Sequence, residues 1–160
     1  MNYNGTNNAD TINGGASADV LVGFAGNDVL NGGGGNDQLY GGSGNDVMNG
    51  GAGDDLLAGQ GGSDFMIGGL GRDTFLFNGA TDNAVNDSTG IGDTVGDFTS
   101  GQDLIKFIGV SNKTVIQVLE ADGDLVIHYG TLGGAPGPYQ GTITLEHVGH
   151  YLTSSDFLFT

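Results

Sequence analysis

An all-β solenoid of short parallel strands is the fold class that this sequence predicts. Three observations predict it. From Gly5 to Leu76 the chain repeats every nine residues, eight times in succession, with no insertion or deletion. The sixth position of every unit is aspartate: Asp10, Asp19, Asp28, Asp37, Asp46, Asp55, Asp64 and Asp73. The eighth is always apolar: Ile12, Leu21, Leu30, Leu39, Met48, Leu57, Met66 and Phe75.

The first six residues of a unit are rich in Gly and Asn, which favour turns and positive φ. The three that follow, such as Val29-Leu30-Asn31 or Val47-Met48-Asn49, suit a three-residue strand whose middle side chain points inward. Turn, strand, turn, strand makes an 18-residue coil with strands on opposite sides. Stacked at about 4.8 Å, eight units give about four coils. The inward residues then form two stripes, Ile12/Leu30/Met48/Met66 and Leu21/Leu39/Leu57/Phe75, a thin core. Outside, one sheet lines up Asn13, Asn31 and Asn49 as a solvated ladder. The other shows Val20, Val22, Gln38, Tyr40, Leu56, Ala58, Thr74 and Leu76 and is more apolar. Either the C-terminal half folds back over that face or a partner covers it.

Stacking also sorts the carboxylates. Asp10, Asp28, Asp46 and Asp64 fall along one edge, and Asp19, Asp37, Asp55 and Asp73 along the other. Carboxylates about 5 Å apart repel by on the order of 1 kcal/mol in water, and by several times that in a less polar setting. Such rows need cations. Carboxylates and turn carbonyls are hard oxygen donors, and six to eight of them at about 2.3–2.6 Å suit calcium better than zinc or copper. The formal net charge is −16, and about six divalent ions would reduce it to −4, an ordinary value for a soluble domain.

The G-G-x-G-x-D-x-U-x pattern of these units resembles the RTX (repeat-in-toxin, hemolysin-type) calcium-binding repeat. The resemblance implies a right-handed parallel β-roll in which each ion sits between turns on neighbouring coils, held by both aspartates and by turn carbonyls. Carried onto this chain, the gaps are 10/28, 28/46 and 46/64 on one edge and 19/37, 37/55 and 55/73 on the other. That is six sites, with one or two more at the ends. The expected carbonyl donors are positions two and four, including Gly26, Gly33, Gly35, Gly42, Gly44, Gly51, Gly53 and Gly62, with positions one and three serving the opposite side. Asn8 and Ser17 stand at position four of the first two units where later units have Gly, so the N-terminal sites are expected to be the weaker ones. Thr6, Phe24 and Gln60 at position two matter less if only a carbonyl binds.

After Phe77 the repeats stop, which divides the chain into a repeat domain, 1–77, and a β-rich cap, 78–160. Asn78 to Gly92 reads as a loop. The stretch from Asp93 through Asp97-Phe98 to Gly101-Gln102-Asp103-Leu104-Ile105 reads as strand, turn, strand. It resembles the element that follows the repeats in serralysin-type proteases and in the regulatory modules of alginate epimerases, where it finishes the roll. Asp97 and Asp103 are therefore either ligands of a last calcium or surface turn carboxylates. Thr114 to Leu119 and Leu125 to Tyr129 form a hairpin around Asp122-Gly123. Gly130 to Gly141, with two prolines, is a loop, and Thr142 to Val148 alternates as another strand. Thr153 to Asp156 is the one place where a helical turn is expected.

Several functions are excluded. There is no cysteine, no G-x-S-x-G and no H-E-x-x-H. The histidines His128, His147 and His150 share no helix face and read as surface residues, so the chain is expected not to be an enzyme. Its acidity argues against nucleic acid and anionic membrane surfaces, and no apolar stretch is long enough to span a bilayer. Gly makes up 34 of 160 residues, 21 of them in the repeats, and ordering glycine costs more conformational entropy than ordering any other residue. Folding and calcium binding are then one reaction. The start, Met1 to Gly5, lacks the basic and apolar regions of a cleaved leader. The end, Ser154 to Thr160, resembles the uncleaved C-terminal signals of RTX proteins. The resemblance thus implies a secreted bacterial protein, with calcium and a type I secretion apparatus as partners. Two functions stand side by side: a calcium-dependent folding and export module of a larger protein, or a module binding an acidic, alginate-like polysaccharide.

Overall fold

Strands pair with strands 18 residues away, as the period demands. In the computed structural model, which describes residues 1–78, 92–108, 114–119, 123–130 and 141–160, two sheets face each other. The first begins with β1 (Asn2–Asn4), β3 (Val20–Ala25), β5 (Gln38–Ser43), β7 (Leu56–Gly61) and β9 (Thr74–Asn78), all parallel. The second begins with β2 (Thr11–Gly15), β4 (Val29–Gly34), β6 (Val47–Ala52) and β8 (Phe65–Leu70), again parallel. Leu21 pairs with Leu39 and Leu39 with Leu57; Leu30 pairs with Met48 and Met48 with Met66. The repeats make a β-solenoid of about four turns, as the period predicts.

The full-length repeat strands are six residues long, not three. Each runs on through positions one to three of the following unit, so that Gly33 pairs with Gly51 and Gly34 with Ala52. Intrinsic propensity alone would make these glycines turn, but stacking on both sides satisfies their backbone groups and overrides it.

Beyond Asn78 both sheets continue. On the first, β11 (Leu104–Ile108) adds in parallel to β9 and β15 (Phe157–Phe159) to β11. On the second, β10 (Asp93–Val95) adds in parallel to β8 and β14 (Gly141–Leu145) to β10. An antiparallel pair, β13 (Leu125–Gly130) on β14 and β12 (Thr114–Leu119) on β13, ends that sheet. The hairpin joins Leu119 to Leu125, with Gly123 at φ 97°; Asp122 lies outside the described residues, as do 79–91 and 131–140 of the two expected loops. A single 3-10 turn, Ser154–Asp156, stands where a helical turn is expected, and it is the one helical element among the described residues.

The core follows the two stripes. Leu21, Leu30, Leu39, Met48, Leu57, Met66 and Phe75 are fully buried, and Ile12 on the first coil is almost so. Toward the C-terminus it becomes aromatic: Phe107 lies between Phe77, at 6.0 Å between ring centroids, and Phe159, at 5.2 Å. On the outer face of the second sheet Asn31 donates to Asn13 at 2.9 Å. The outer face of the first sheet carries Val20, Val22, Tyr40, Leu56 and Leu76, all half-buried. Among the described residues the C-terminal half lengthens the sheets end to end, and no element of it lies over this face.

Leu39 is fully buried and Val47 is exposed. Leu39→Ala is expected to destabilise the folded chain by roughly 2–4 kcal/mol in denaturant unfolding, and Val47→Ala by no more than about 0.5 kcal/mol.

Candidate metal centres

Every repeat aspartate is tied to its neighbour by one oxygen. The backbone N–H of Asp10, Asp28 and Asp46 donates to Oδ1 of Asp28, Asp46 and Asp64, and that of Asp19, Asp37 and Asp55 to Oδ1 of Asp37, Asp55 and Asp73, all at 2.7–2.9 Å. Both rows then pass into the C-terminal half: Asp64 N–H donates to Asp93 at 2.9 Å and Asp73 N–H to Asp103 at 3.0 Å. Asp103, expected from its motif, thus sits on the ladder. Asp93 does too, although reasoning from the sequence alone does not single it out; its place at the head of the same motif is the available signal.

A second ladder runs the opposite way at position five. The side-chain oxygens of Asn27, Asn36, Asn45 and Asp54 accept the N–H of Asn45, Asp54, Ser63 and Arg72 on the next coil, at 2.9–3.1 Å. Four successive Asn or Asp residues at that position are its signal in the sequence.

The second oxygen of the aspartate is what makes the site. In units three to eight, Oδ2 of Asp28, Asp37, Asp46, Asp55, Asp64 and Asp73 is buried with no hydrogen-bond partner. A buried, ionised oxygen without a donor is costly, and no N–H reaches it. It points at the position-one glycine of its own unit: a Cβ on Gly23, Gly32, Gly41, Gly50, Gly59 or Gly68 would come closer than 3.0 Å to it. Carbonyls crowd the same turns. A Cβ on Gly44 or Gly53 would run into the carbonyl of Gly26 or Gly35 one coil earlier, and one on Gly51 into that of Gly33. Position-one carbonyls face the other way, Gly41 toward Gly23 and Gly50 toward Gly32. The turns are therefore lined by oxygens from both sides. Among the described residues no three His, Cys, Asp or Glu side chains converge, so a cation held here draws most of its ligands from the backbone. Calcium's large, oxygen-only coordination fits such a donor set.

The backbone is bent to make this possible. Gly26, Gly33, Gly35, Gly42, Gly44, Gly51, Gly53 and Gly62 all lie at φ between 98° and 136°, as do Gly69 and Gly71 of the eighth unit. Position two takes this conformation even where it is not glycine, with Phe24 at φ 80° and Gln60 at φ 75°. Position two therefore matters through its φ as well as its carbonyl, and a bulky residue there costs about 1–2 kcal/mol.

The first two units are different. Asp10 Oδ2 accepts from Thr6 N–H at 2.6 Å and from its hydroxyl at 2.7 Å, and Asp19 Oδ2 accepts from Gly15 N–H at 2.8 Å. Neither position two nor position four of these units is left-handed. At the other end Asp97 takes the N–H of Gly68 and Gly69, at 2.9 and 2.8 Å, and Asp103 Oδ2 takes that of Thr99 at 2.8 Å. Asp156 holds the C-terminal strand, accepting from Gly101 and Thr153 N–H at 2.8 Å and from the hydroxyls of Thr153 and Ser100. His147 and His150 are exposed.

Burial raises the affinity of five repeat carboxylates for protons, those of Asp37, Asp46, Asp55, Asp64 and Asp73. Desolvation pushes Asp46 and Asp73 up to about 6 and Asp64, beside the charge of Asp93, up to about 8. Asp37, Asp55 and Asp103 are raised for the same main reason. Asp156 is lowered: burial alone would raise it, but the hydrogen bonds from Thr153 and Gly101 together outweigh that.

Residues 4–39 and 40–75 match the family model of the RTX calcium-binding nonapeptide repeat, in four copies each. Residues 4–75 are RTX calcium-binding repeats. Among solved structures, the AlgE6R3 subunit of the Azotobacter vinelandii mannuronan C5-epimerase is similar, at 24% identity and TM-score 0.50, over 96% of this chain and 80% of that one. The AlgE6R2 subunit of the same enzyme is 24% identical over 99% of this chain and 92% of that one, with TM-score 0.47. Extracellular lipase LipA from Serratia marcescens is 17% identical over all of this chain and 40% of its own, with TM-score 0.38. No curated protein sequence matches the chain. The AlgE6R3 likeness extends the shared fold past the RTX repeats into the C-terminal half.

A pH dependence follows from the raised carboxylates. Groups whose folded pKa lies above the unfolded value of about 3.9 stabilise the metal-free fold fully below that value and lose their contribution as pH rises through the folded pKa. Without calcium the RTX repeats are expected to be most ordered near pH 4 and to lose circular-dichroism signal between about pH 5 and 8. A metal-free chain that gains structure toward pH 8 contradicts this.

Proposed function

We propose that this chain is a calcium-dependent folding module, assembled outside the cell when calcium fills its turns, and that it serves the export of a larger protein by a type I route. The observation that carries the reading is the set of six buried Oδ2 atoms with no donor. Divalent cations between stacked turns meet that need. The ligands are the aspartates on either side of a gap, the position-two and position-four carbonyls of one turn and the position-one carbonyl of the next. Four gaps have such turns on both sides: 28/46 and 46/64 on one edge, 37/55 and 55/73 on the other. The outer gaps, 10/28, 19/37, 64/93 and 73/103, are bounded on one side by a turn of another kind. At the 73/103 end Asp97 accepts the N–H groups of Gly68 and Gly69, which supports a clamping role over a ligand's.

The chain's division of labour follows. Residues 1–77 carry the ions, and 78–160 cap the open end with aromatic packing and the Asp156 latch. The proposed role involves no reaction of its own. Extracellular calcium modules bind in the range of about 0.1–1 mM, so the chain stays unfolded in a cytosol and folds after export. Among the described residues no helix is long and apolar enough to cross a membrane.

A second reading rests on the outer face of the first sheet, which no other described element covers and where Tyr40 lies among Val22, Leu56 and Ala58: a module that docks an acidic polysaccharide. The net charge of −16 works against it. Calcium titration of the metal-free chain is expected to give a cooperative circular-dichroism transition at about 0.1–1 mM, with magnesium unable to replace it. Calorimetry of the loaded chain with uronate oligosaccharides is expected to give no saturable heat; saturable heat favours the second reading, and no calcium transition overturns the first.

A further inference from the structure

The eight turns exist in two states, and position four separates them. In units three to eight, position four is glycine, positions two and four are left-handed, and Oδ2 is left without a donor. Where a further repeat coil follows, the position-four N–H reaches forward to a position-three carbonyl: Gly26 to Ser43, Gly35 to Ala52, Gly44 to Gly61 and Gly53 to Leu70, at 2.7–2.9 Å. These turns are open. In units one and two, position four is Asn8 or Ser17, no residue of the turn is left-handed, and the position-two N–H folds onto Oδ2 of the same unit. These turns are closed.

Position two does not decide between the states. Gly15 is free to turn either way, yet its unit is closed; Phe24 and Gln60 resist the left-handed region, yet theirs are open. Position four tracks the outcome in all eight units; position five does too, being Ala9 or Ala18 in the closed turns and Asn, Asp, Ser or Arg in the open ones, but it is left-handed in none of them, whereas position four is left-handed in every open turn. The backbone cost of a left-handed Asn or Ser acts in every coil, and in later coils a steric cost adds to it. An open turn places position four directly against the carbonyl of the coil before, where a side chain has no room: a Cβ on Gly44, Gly53, Gly62 or Gly71 would collide with that backbone. Where a coil precedes, Ser cannot take that place, and its left-handed backbone is unfavourable as well.

We infer that position four is the selector of calcium competence, and that the turns of Asp10 and Asp19 are latent sites held shut by their own carboxylates. The first coil then holds together without calcium. The inference rests on the calcium reading above and adds to it which turns take part.

Its test is the number of calcium ions bound at saturation, measured by native mass spectrometry and equilibrium dialysis on the full chain. Ser17→Gly opens the second turn and is expected to add one ion, in the 19/37 gap. Asp19 Oδ1 also holds the Met1 amino group, so the paired change Thr6→Gly with Asn8→Gly gives an independent gain in the 10/28 gap. The converse, Gly44→Ser, is expected to lose the ions on both sides of Asp46; because it sits among packed coils and can impair folding, the decisive variants are the two gains at the exposed end. Unchanged counts in both gain variants overturn the selector. So does a parent chain that loses an ion on Asp19→Asn, since its turn would already be open. A parent that binds no calcium overturns the calcium reading itself, a result separable from either.

Discussion

Each aspartate of units three to eight must satisfy two oxygens, and the stack supplies a proton donor for only one. Oδ1 takes the N–H of the coil before, and that bond fixes the coil spacing, the register and the burial of the carboxylate. Oδ2 is then carried inside with it, facing a glycine that leaves it room and carbonyls that repel it. The hydrogen bond that builds the solenoid therefore creates a demand for positive charge that the chain's own groups do not meet. The thin core, one apolar residue per unit, does not offset the resulting repulsion, and it is only at the C-terminus, where Phe77, Phe107 and Phe159 stack, that packing takes over.

Most of this was legible in the sequence because the period is short and unbroken. A fixed Asp and a fixed apolar residue nine apart give the coil length, the two stripes and the two acid edges without further information. The glycines expected as ligands at positions two and four all proved to be left-handed. What escaped lay in the third dimension. Strand length was underestimated because Gly32 to Gly34 read as turn, and only the coils on either side make them strand. Asp93 was invisible as a ladder member because no nonapeptide surrounds it; the 29 residues from Asp64 to Asp93 replace the 18 of the repeat. The state of Oδ2 was legible only in outline: Asn8 and Ser17 at position four mark the first two turns as different, but not that N–H groups of the same unit fold onto the carboxylate.

The first coil and the C-terminal half meet the same demand differently. In the first coil Oδ2 of Asp10 and Asp19 takes N–H groups of its own unit. At the C-terminal end Asp97, Asp103 and Asp156 commit their oxygens to backbone N–H groups of Gly68, Gly69, Thr99, Gly101 and Thr153. Between them lie the open turns, where the proposed calcium reading concentrates metal dependence. On that reading the middle coils assemble together with their ions.

Whether cations supply the cohesion missing from the apolar interior is decided by small-angle X-ray scattering of one sample before and after complete chelation at neutral pH. A folded chain of this length has a radius of gyration near 15 Å, somewhat more for an elongated roll, and an unfolded one roughly 40 Å. Calcium is expected to give the small value, and chelation an approach to the large one. A chelated chain that keeps the compact radius would contradict a cation-held fold.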